Sequence, residues 1–505
     1  MCFILLSMLY IWSHCMQWQK CKTKIHLIHL SHHCTYTMPM MELRNVSDFL
    51  RGKTILVTGA TGFLAKVFVE KILRVQPDIK KLYLLVRASD SYLATQRLHD
   101  EVFKKDLFRV VQDKWGADFS SFISNKVVAV AGDVSRDMFG LIDVKLSEEM
   151  LKEINIIVNS AATTNLDERF DVAMDTNTMG AFNLLNFAKR CRNIEIILHV
   201  STAYVCGPGE GLVGEEPIQM GQTLNKSPIL LDINLEKQLI KDKLSELRAQ
   251  NANEETITKT MKMFGMIRAN LHGWQDTYSF TKAMGEMIMG NMKDNIDLII
   301  TRPTMIVGTH SEPFPGWIED VRTIDFLIAA YCKGTLTSFV GHSEIVLDTI
   351  PVDMVVNSMI IALLAHSKNL FKNWIYHSAS SLRNPFKFSD LQDIMYSYFT
   401  KNPWVDQYGK RVVVTQKLTL YSTSTDELRL NKGSKLERIS DLYKPYFLFQ
   451  GIFDDQNAEK LRIATKGVPG MNEEFNFDPK AINWKDYMMN IHFPGLVKYS
   501  IRSNI

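Results

Sequence analysis

A tyrosine and a lysine stand four residues apart in Asp276-Thr-Tyr-Ser-Phe-Thr-Lys282. On a helix that spacing puts the phenol of Tyr278 and the ammonium of Lys282 on one face. An ammonium beside a phenol is expected to bring its pKa down from an ordinary value of about 10, making it a general acid or base at working pH. The chemistry also needs a hydroxyl to hydrogen-bond a substrate carbonyl oxygen. Ser201 and Thr202 supply two candidates at the end of the apolar run Ile194-Glu-Ile-Ile-Leu-His-Val-Ser-Thr202. Tyr-x-x-x-Lys by itself recurs by chance on exposed helices, so the weight of this copy comes from what precedes it.

Upstream, Lys53-Thr-Ile-Leu-Val-Thr-Gly-Ala-Thr-Gly-Phe-Leu-Ala65 is a short apolar strand running into a glycine turn and then a helix. Gly59 lets the chain turn tightly after the strand. Gly62 has no Cβ to keep a pyrophosphate away, and Ala65 lets the helix lie close on the sheet with its N-terminal amides aimed at the phosphates. A second strand, Lys81-Leu-Tyr-Leu-Leu-Val-Arg87, ends where such a fold meets the adenosine ribose. It ends in arginine, where an acid would hold the 2′-hydroxyl of NAD; a guanidinium there holds the 2′-phosphate of NADP by a charge-assisted pair. The expected cofactor is therefore NADPH. Further strands are expected at 126–133, 155–161 and 194–202, each apolar along its length as strands covered on both faces must be. Helical patterns separate them, so the fold expected is α/β, a doubly wound parallel sheet.

Together Thr58-Gly-Ala-Thr-Gly-Phe63, the strand-five Ser201-Thr-Ala-Tyr-Val205 and the Tyr-x-x-x-Lys resemble an extended short-chain dehydrogenase/reductase. More narrowly, several stretches are similar to the plant alcohol-forming fatty acyl-CoA reductases. They include Phe49-Leu-Arg-Gly-Lys53, Asn159-Ser-Ala-Ala-Thr-Thr-Asn165, Leu271-His-Gly-Trp274, Arg302-Pro-Thr-Met305, Glu312-Pro-Phe-Pro-Gly-Trp-Ile-Glu319 and Tyr446-Phe-Leu-Phe-Gln-Gly-Ile-Phe-Asp-Asp455, with Phe477-Asp-Pro479 and Trp484-Lys-Asp-Tyr487 near the end. The resemblance covers about residues 41–500. It implies a Rossmann-type fold in which Gly59, Thr61, Gly62, Phe63 and Leu64 lie along the cofactor phosphates and Arg87 meets the 2′-phosphate. Asp133 and Val134 would flank the adenine, and Ala161 and Ala162 would line the dinucleotide after the fourth strand. Thr202 would be the catalytic hydroxyl, with Ser201 the alternative, Tyr278 the acid, and Lys282 both its tuner and a holder of the nicotinamide ribose. The reaction implied is reduction of a long-chain acyl-CoA through a bound aldehyde to a primary alcohol, for lipid, wax or suberin. Alternatives are a reductase that stops at the aldehyde, another extended reductase, and an inactive NADP-binding homologue.

At 505 residues and 46% apolar composition the chain has room for two domains. We expect a reductase domain over 41–366 and a smaller, mainly helical domain over 367–505. Retention of the aldehyde calls for a closed cleft, and the long 209–274 insertion is a candidate lid whose Met- and Ile-rich 257–266 segment would otherwise be ordinary packing. A net charge of +3 without a lysine–arginine run gives nucleic-acid binding no support. Seven cysteines without a C-x-x-C pair indicate neither a zinc site nor a disulfide framework, and no metal is expected.

Residues 1–40 stand apart. They hold four of the seven cysteines and five of the thirteen histidines, His29, His32, His33 and Cys34 among them, without an acidic residue. The opening run Cys2 to Trp12 is too short to span a bilayer, and the stretch reads as an extension from an upstream start. Elsewhere no run is long enough for a membrane helix, so any membrane contact is expected to be peripheral, at the cytosolic face of the endoplasmic reticulum or in the cytoplasm, with a plastid less favoured. The polar stretch 419–427 replaces a longer, more hydrophobic segment usual in the plant proteins, which is expected to weaken membrane attachment or the acyl-end pocket. Acyl chain length and oligomeric state are not legible.

Overall fold

Short runs rich in Val, Ile and Leu make strands that must be covered on both faces, and such runs, joined by a half-polar last strand, form one seven-stranded parallel sheet. They are β1 (Thr54–Thr58), β2 (Lys81–Val86), β3 (Val127–Ala131), β4 (Ile156–Asn159), β5 (Ile196–Val200), β6 (Asp297–Pro303) and β7 (Ile375–Ser378). Their order is 3-2-1-4-5-6-7. The direction of winding reverses between β1 and β4, and the carboxyl ends of those two strands flank the crevice in which such sheets bind ligands. The five strands expected from the sequence are present, and β6 and β7 are added to them. β7 lies beyond residue 366, so the sheet draws its last strand from the region read as a second domain.

This computed structural model describes residues 46–501 apart from 226–229, 368–373, 407, 422–434, 467 and 469–470. Leu43–Ile505 form one compact unit. The 1–40 extension and its His29–Cys34 cluster lie outside the described residues. So does most of the 419–427 stretch; its described part, Thr419–Tyr421, pairs in parallel with Ser338–Val340.

One face of the sheet carries α1 (Phe63–Val75) and the other α2 (Gly180–Arg190), each sealing a separate hydrophobic cluster. The 209–274 insertion forms a helical hairpin, α3 (Ile233–Ala249) and α4 (Glu254–Leu271), ahead of α5 (Thr277–Met292), which carries Tyr278 and Lys282. Ile257 and Met261 of α4 are buried in the core, whereas Met263 faces solvent. The first face is completed by α6 (Val352–His366), every residue of which is buried. The C-terminal region is mainly helical, with α7 (Lys435–Phe447) and α8 (Gln456–Thr465) among its elements. Its strand Gln450–Phe453 pairs in parallel with Glu210–Val213, tying the insertion to the C-terminal region.

Candidate active site

The glycine turn after β1 is fixed by backbone crowding. Gly59 has φ +68°, and a Cβ there would lie 2.8 Å from the Cα and the amide nitrogen of Ala161, just past β4. The close approach is stitched by side chains: the Ala161 amide donates to Thr58 Oγ1 at 3.1 Å, and that hydroxyl donates to Asn159 Oδ1 at 2.7 Å. Gly62 is the N-cap of α1, supplies no side-chain cap, and is followed by a first turn without an acidic residue. Uncapped amides with no competing carboxylate suit an anion. Thr61 is half-buried, Phe63 and Leu64 are buried, and Ala161 and Ala162 are half-buried on the other side of the crevice. Phe63 stacks on Trp317 at 5.4 Å between ring centres. That tryptophan belongs to the 312–319 motif, whose acids bind α1: Glu319 takes Lys66 at 2.6 Å, and Glu312 takes Lys71 at 2.5 Å and Arg74 at 2.8 Å. The motif is thus a strap across the outer face of the phosphate helix.

Around the crevice the remaining expected residues are spread along the strand ends. Arg87 follows β2 with its side chain exposed. Asp133 follows β3 and accepts from the Ser135 amide at 2.9 Å; Val134 is buried, with its carbonyl held by Asn183 of α2 at 2.9 Å. These residues and the glycine turn all lie at the carboxyl end of the sheet.

The catalytic candidates meet at the end of β5. Thr202 Oγ1 accepts from the Tyr204 amide at 3.4 Å, starting a tight turn, and the Thr202 hydroxyl lies close enough to the Tyr278 phenol to act on its ionisation. Ser201, one residue earlier, has its Oγ buried without a partner. Of the two candidate hydroxyls the structure brings Thr202 to the phenol. Trp274 of the Leu271–Trp274 motif is fully buried and donates to the Val205 carbonyl at 2.9 Å, pinning the turn against the start of α5.

Lys282 departs from the sequence expectation. Its Nζ donates to the Val200 carbonyl at 2.7 Å, and burial brings its pKa down to about 8, partly offset by Glu286. The phenol of Tyr278 moves the other way: burial first and the Asp276 carboxylate second push it above its ordinary range, and Thr202 opposes them. The expected lowering of the phenol by the lysine is therefore corrected. Desolvation outweighs the ammonium, which is engaged with a backbone carbonyl. A phenol kept protonated is a proton donor, the role a reduction needs.

Two family models, both described as male sterility protein, match residues 57–359 and 412–503, the first of them an NAD-binding model. The chain is 49% identical to probable fatty acyl-CoA reductase 5 of Arabidopsis thaliana over 92% of its length and 100% of that protein's. It is 46% identical to the alcohol-forming fatty acyl-CoA reductase of Simmondsia chinensis over 91% of its length and 99% of that protein's. The chain belongs to the fatty acyl-CoA reductases. Among solved structures, the terminal R domain of the myxalamid biosynthetic pathway shares the fold at a TM-score of 0.53 and 17% identity, over 83% of this chain and 86% of that one.

The structure of this reductase also shows features the sequence reading passed over. Asp276 is buried, caps α5 by accepting from the Ser279 amide at 2.7 Å, and takes the Tyr446 hydroxyl at 2.6 Å. Asp three residues before Ser at the head of an apolar helix is a readable N-cap signal. Tyr446, 170 residues away, heads a stretch that carries the family resemblance, but nothing local signals its bond to Asp276. His199 was equally silent. Asn159 Nδ2 lies 2.9 Å from its Nδ1, which leaves a buried Nε2 under α5 with no partner.

Proposed function

We propose that this chain reduces a long-chain or very-long-chain fatty acyl-CoA to the primary alcohol through a bound aldehyde, with NADPH as reductant. The observation that carries the reading is the Thr202–Tyr278 corner at the same end of the sheet as the Gly59–Gly62 turn, in a chain that nearly spans an alcohol-forming relative. Bound along that turn, a first NADPH would supply one hydride to the thioester carbon and a second, after exchange, one to the aldehyde carbon; between the two the carbon–sulfur bond of the hemithioacetal breaks, and CoA leaves as its thiol with the hydroxyl proton. In this reading the chain's own residues handle the oxygen. The Thr202 hydroxyl and the Tyr278 phenol hold the carbonyl oxygen, stabilise charge as it develops there, and the phenol gives up its proton to it. With a pKa near 8, Lys282 stays largely cationic at neutral pH, a charge that favours the phenolate left behind. Arg87, with no acid at the end of β2, supports NADPH over NADH.

A long acyl chain partitions into bilayers. The same reading therefore places the protein peripherally at a membrane surface, on the cytosolic side. Among the described residues no helix is long and apolar enough to cross a membrane.

Product analysis after incubation with C16 to C24 acyl-CoAs and NADPH tests the reading. Fatty alcohol is expected from the unaltered chain, and Tyr278→Phe should cut its formation by about 10²–10⁴-fold, the usual share of a general acid, with NADPH binding by fluorescence unchanged. Aldehyde as the end product would restrict the activity to the first reduction, and NADPH binding without turnover would refute it.

A further inference from the structure

Thr202 and Tyr278 reach each other from elements 76 residues apart in sequence, and the match between them depends on how the β5 turn and α5 are held. Besides Trp274, a side chain from the C-terminal region touches both elements. Tyr446, in the last turn of α7, donates its hydroxyl to Asp276 Oδ2 at 2.6 Å, and Asp276 Oδ1 accepts the Ser279 amide that caps α5. The ring of Tyr446 meets that of Tyr204 edge to face, with centres 4.7 Å apart, and the Tyr204 amide donates to Thr202 Oγ1. Tyr204 in turn packs on Phe449 and Phe453 at 5.5 and 5.4 Å, so the contact continues along the segment that pairs with Glu210–Val213. Asp276 is 1% exposed and Tyr446 6%, so water does not compete for the bond.

We propose that Tyr446 is a positioning residue for the reduction, a strut from the C-terminal region that fixes the Tyr278 helix to the Thr202 turn. This rests on the function proposed above for the site itself. It assigns the C-terminal region a part in the chemistry: the carboxylate that caps the catalytic helix has one of its two oxygens held only from there among the described residues. A hydrogen bond to a charged group is among the stronger ones, and the ring contact adds direction rather than charge. A phenylalanine at 446 would keep the ring against Tyr204 and remove the hydroxyl alone.

The test is a cycle of Tyr446→Phe, Asp276→Asn and the double variant, read by kcat and KM on acyl-CoA and on the free aldehyde, and by the thermal midpoint from pH 5 to 8. Tyr446→Phe is expected to lower kcat about tenfold or more, with KM and NADPH binding within about twofold. The double variant should be no slower than the slower single one, because both act through one bond. The thermal arm does not need activity. The groups facing Asp276 are Tyr446 on α7 and Ser279 and Tyr278 on its own helix. Without the hydroxyl the buried carboxylate is harder to ionise, so the deficit of Tyr446→Phe should grow from pH 5 to pH 8 and stay flat in the Asp276→Asn background. Wild-type kcat in Tyr446→Phe, or losses that multiply in the double variant, would overturn the strut. A wild-type chain without turnover would refute the proposed function instead, leaving the thermal cycle to judge the strut.

Discussion

The phosphate turn and the catalytic corner lie at the carboxyl end of the same sheet, on strands with β4 between them, yet they are built in opposite ways. The turn is local. Residues 58–65 contain nearly all of it, and its shape follows from missing atoms: a glycine with φ +68° and a glycine N-cap that offers no side chain. The corner is assembled from residues 202–204, 276–282 and 446, and depends on side chains that are present, buried and hydrogen-bonded across long stretches of chain. A site made by omission tolerates no addition, whereas a site made by assembly fails when one strut is withdrawn.

That difference is sharpest at Gly59. Gly52 has nearly the same backbone angle, φ +69°, but a Cβ added there would meet nothing within 4 Å. Gly52→Ala therefore measures left-handed strain alone, about 1–2 kcal/mol. Gly59→Ala adds a Cβ at 2.8 Å from the Ala161 backbone, with no flexible side chain to yield. The added overpacking is about 1–3 kcal/mol, so the total should reach roughly 2–5 kcal/mol. Chemical denaturation of both variants checks this, and NADPH binding should be lost in Gly59→Ala alone. Equal losses in the two would mean that the approach of β1 to β4 is slack.

The same contrast explains what the sequence discloses. The glycine turn was readable because Gly59, Gly62 and Ala65 act through local backbone geometry, which spacing reports directly. The five strands were readable from unbroken apolar runs. β6 was overlooked although Leu298 to Ile300 is as apolar as the others, and β7 because Ile375–Ser378 is short and half polar. In the corner, the pair Tyr278 and Lys282 was legible but its electrostatics were not. Spacing places an ammonium near a phenol, whereas the sign of the phenol's shift is decided by burial and by Asp276, which only the packed molecule reveals. Tyr446 stands in a stretch that resembles the family, but its partner Asp276 was not legible, since the contact spans 170 residues.

Arg87 sharpens the comparison at intermediate size, because it belongs to the local half yet acts through a charge rather than an omission. It lies exposed beyond β2, and the chain at that point carries no acid to take a ribose hydroxyl. Losing one charge-assisted bond to a 2′-phosphate costs about 1.5–3 kcal/mol, so Arg87→Ser should weaken NADPH binding by about 10–100-fold. Binding of NADH, which lacks that phosphate, should stay the same. Fluorescence titration with both cofactors reads the ratio, and an equal loss for the two would assign Arg87 to structure rather than to the phosphate.

Glu215 is the mildest break, on the assembled side. Its carboxylate joins the insertion to the C-terminal half of the molecule by accepting the His377 amide at 2.8 Å and the Asn457 amide at 2.7 Å. Burial pushes its pKa up to about 8, and the two amides hold it back. A carboxyl whose folded pKa lies above its unfolded value binds protons more tightly in the folded state. Its contribution is full below about pH 4.5 and drains away as pH rises through about 8. The side chain is only half-buried, so solvent screens much of this, and about 1 kcal/mol should be lost between pH 5 and 8. Glu215→Gln keeps an amide oxygen to accept one bond and has nothing to titrate. Its thermal midpoint should therefore fall less steeply over that range than the wild-type midpoint. Parallel slopes would mean that the seam between the insertion and the C-terminal region does not feel this carboxyl, and would leave the pairing of Gln450–Phe453 with Glu210–Val213, the Tyr446–Asp276 bond and the aromatic contacts of Tyr204 to hold the assembled half together.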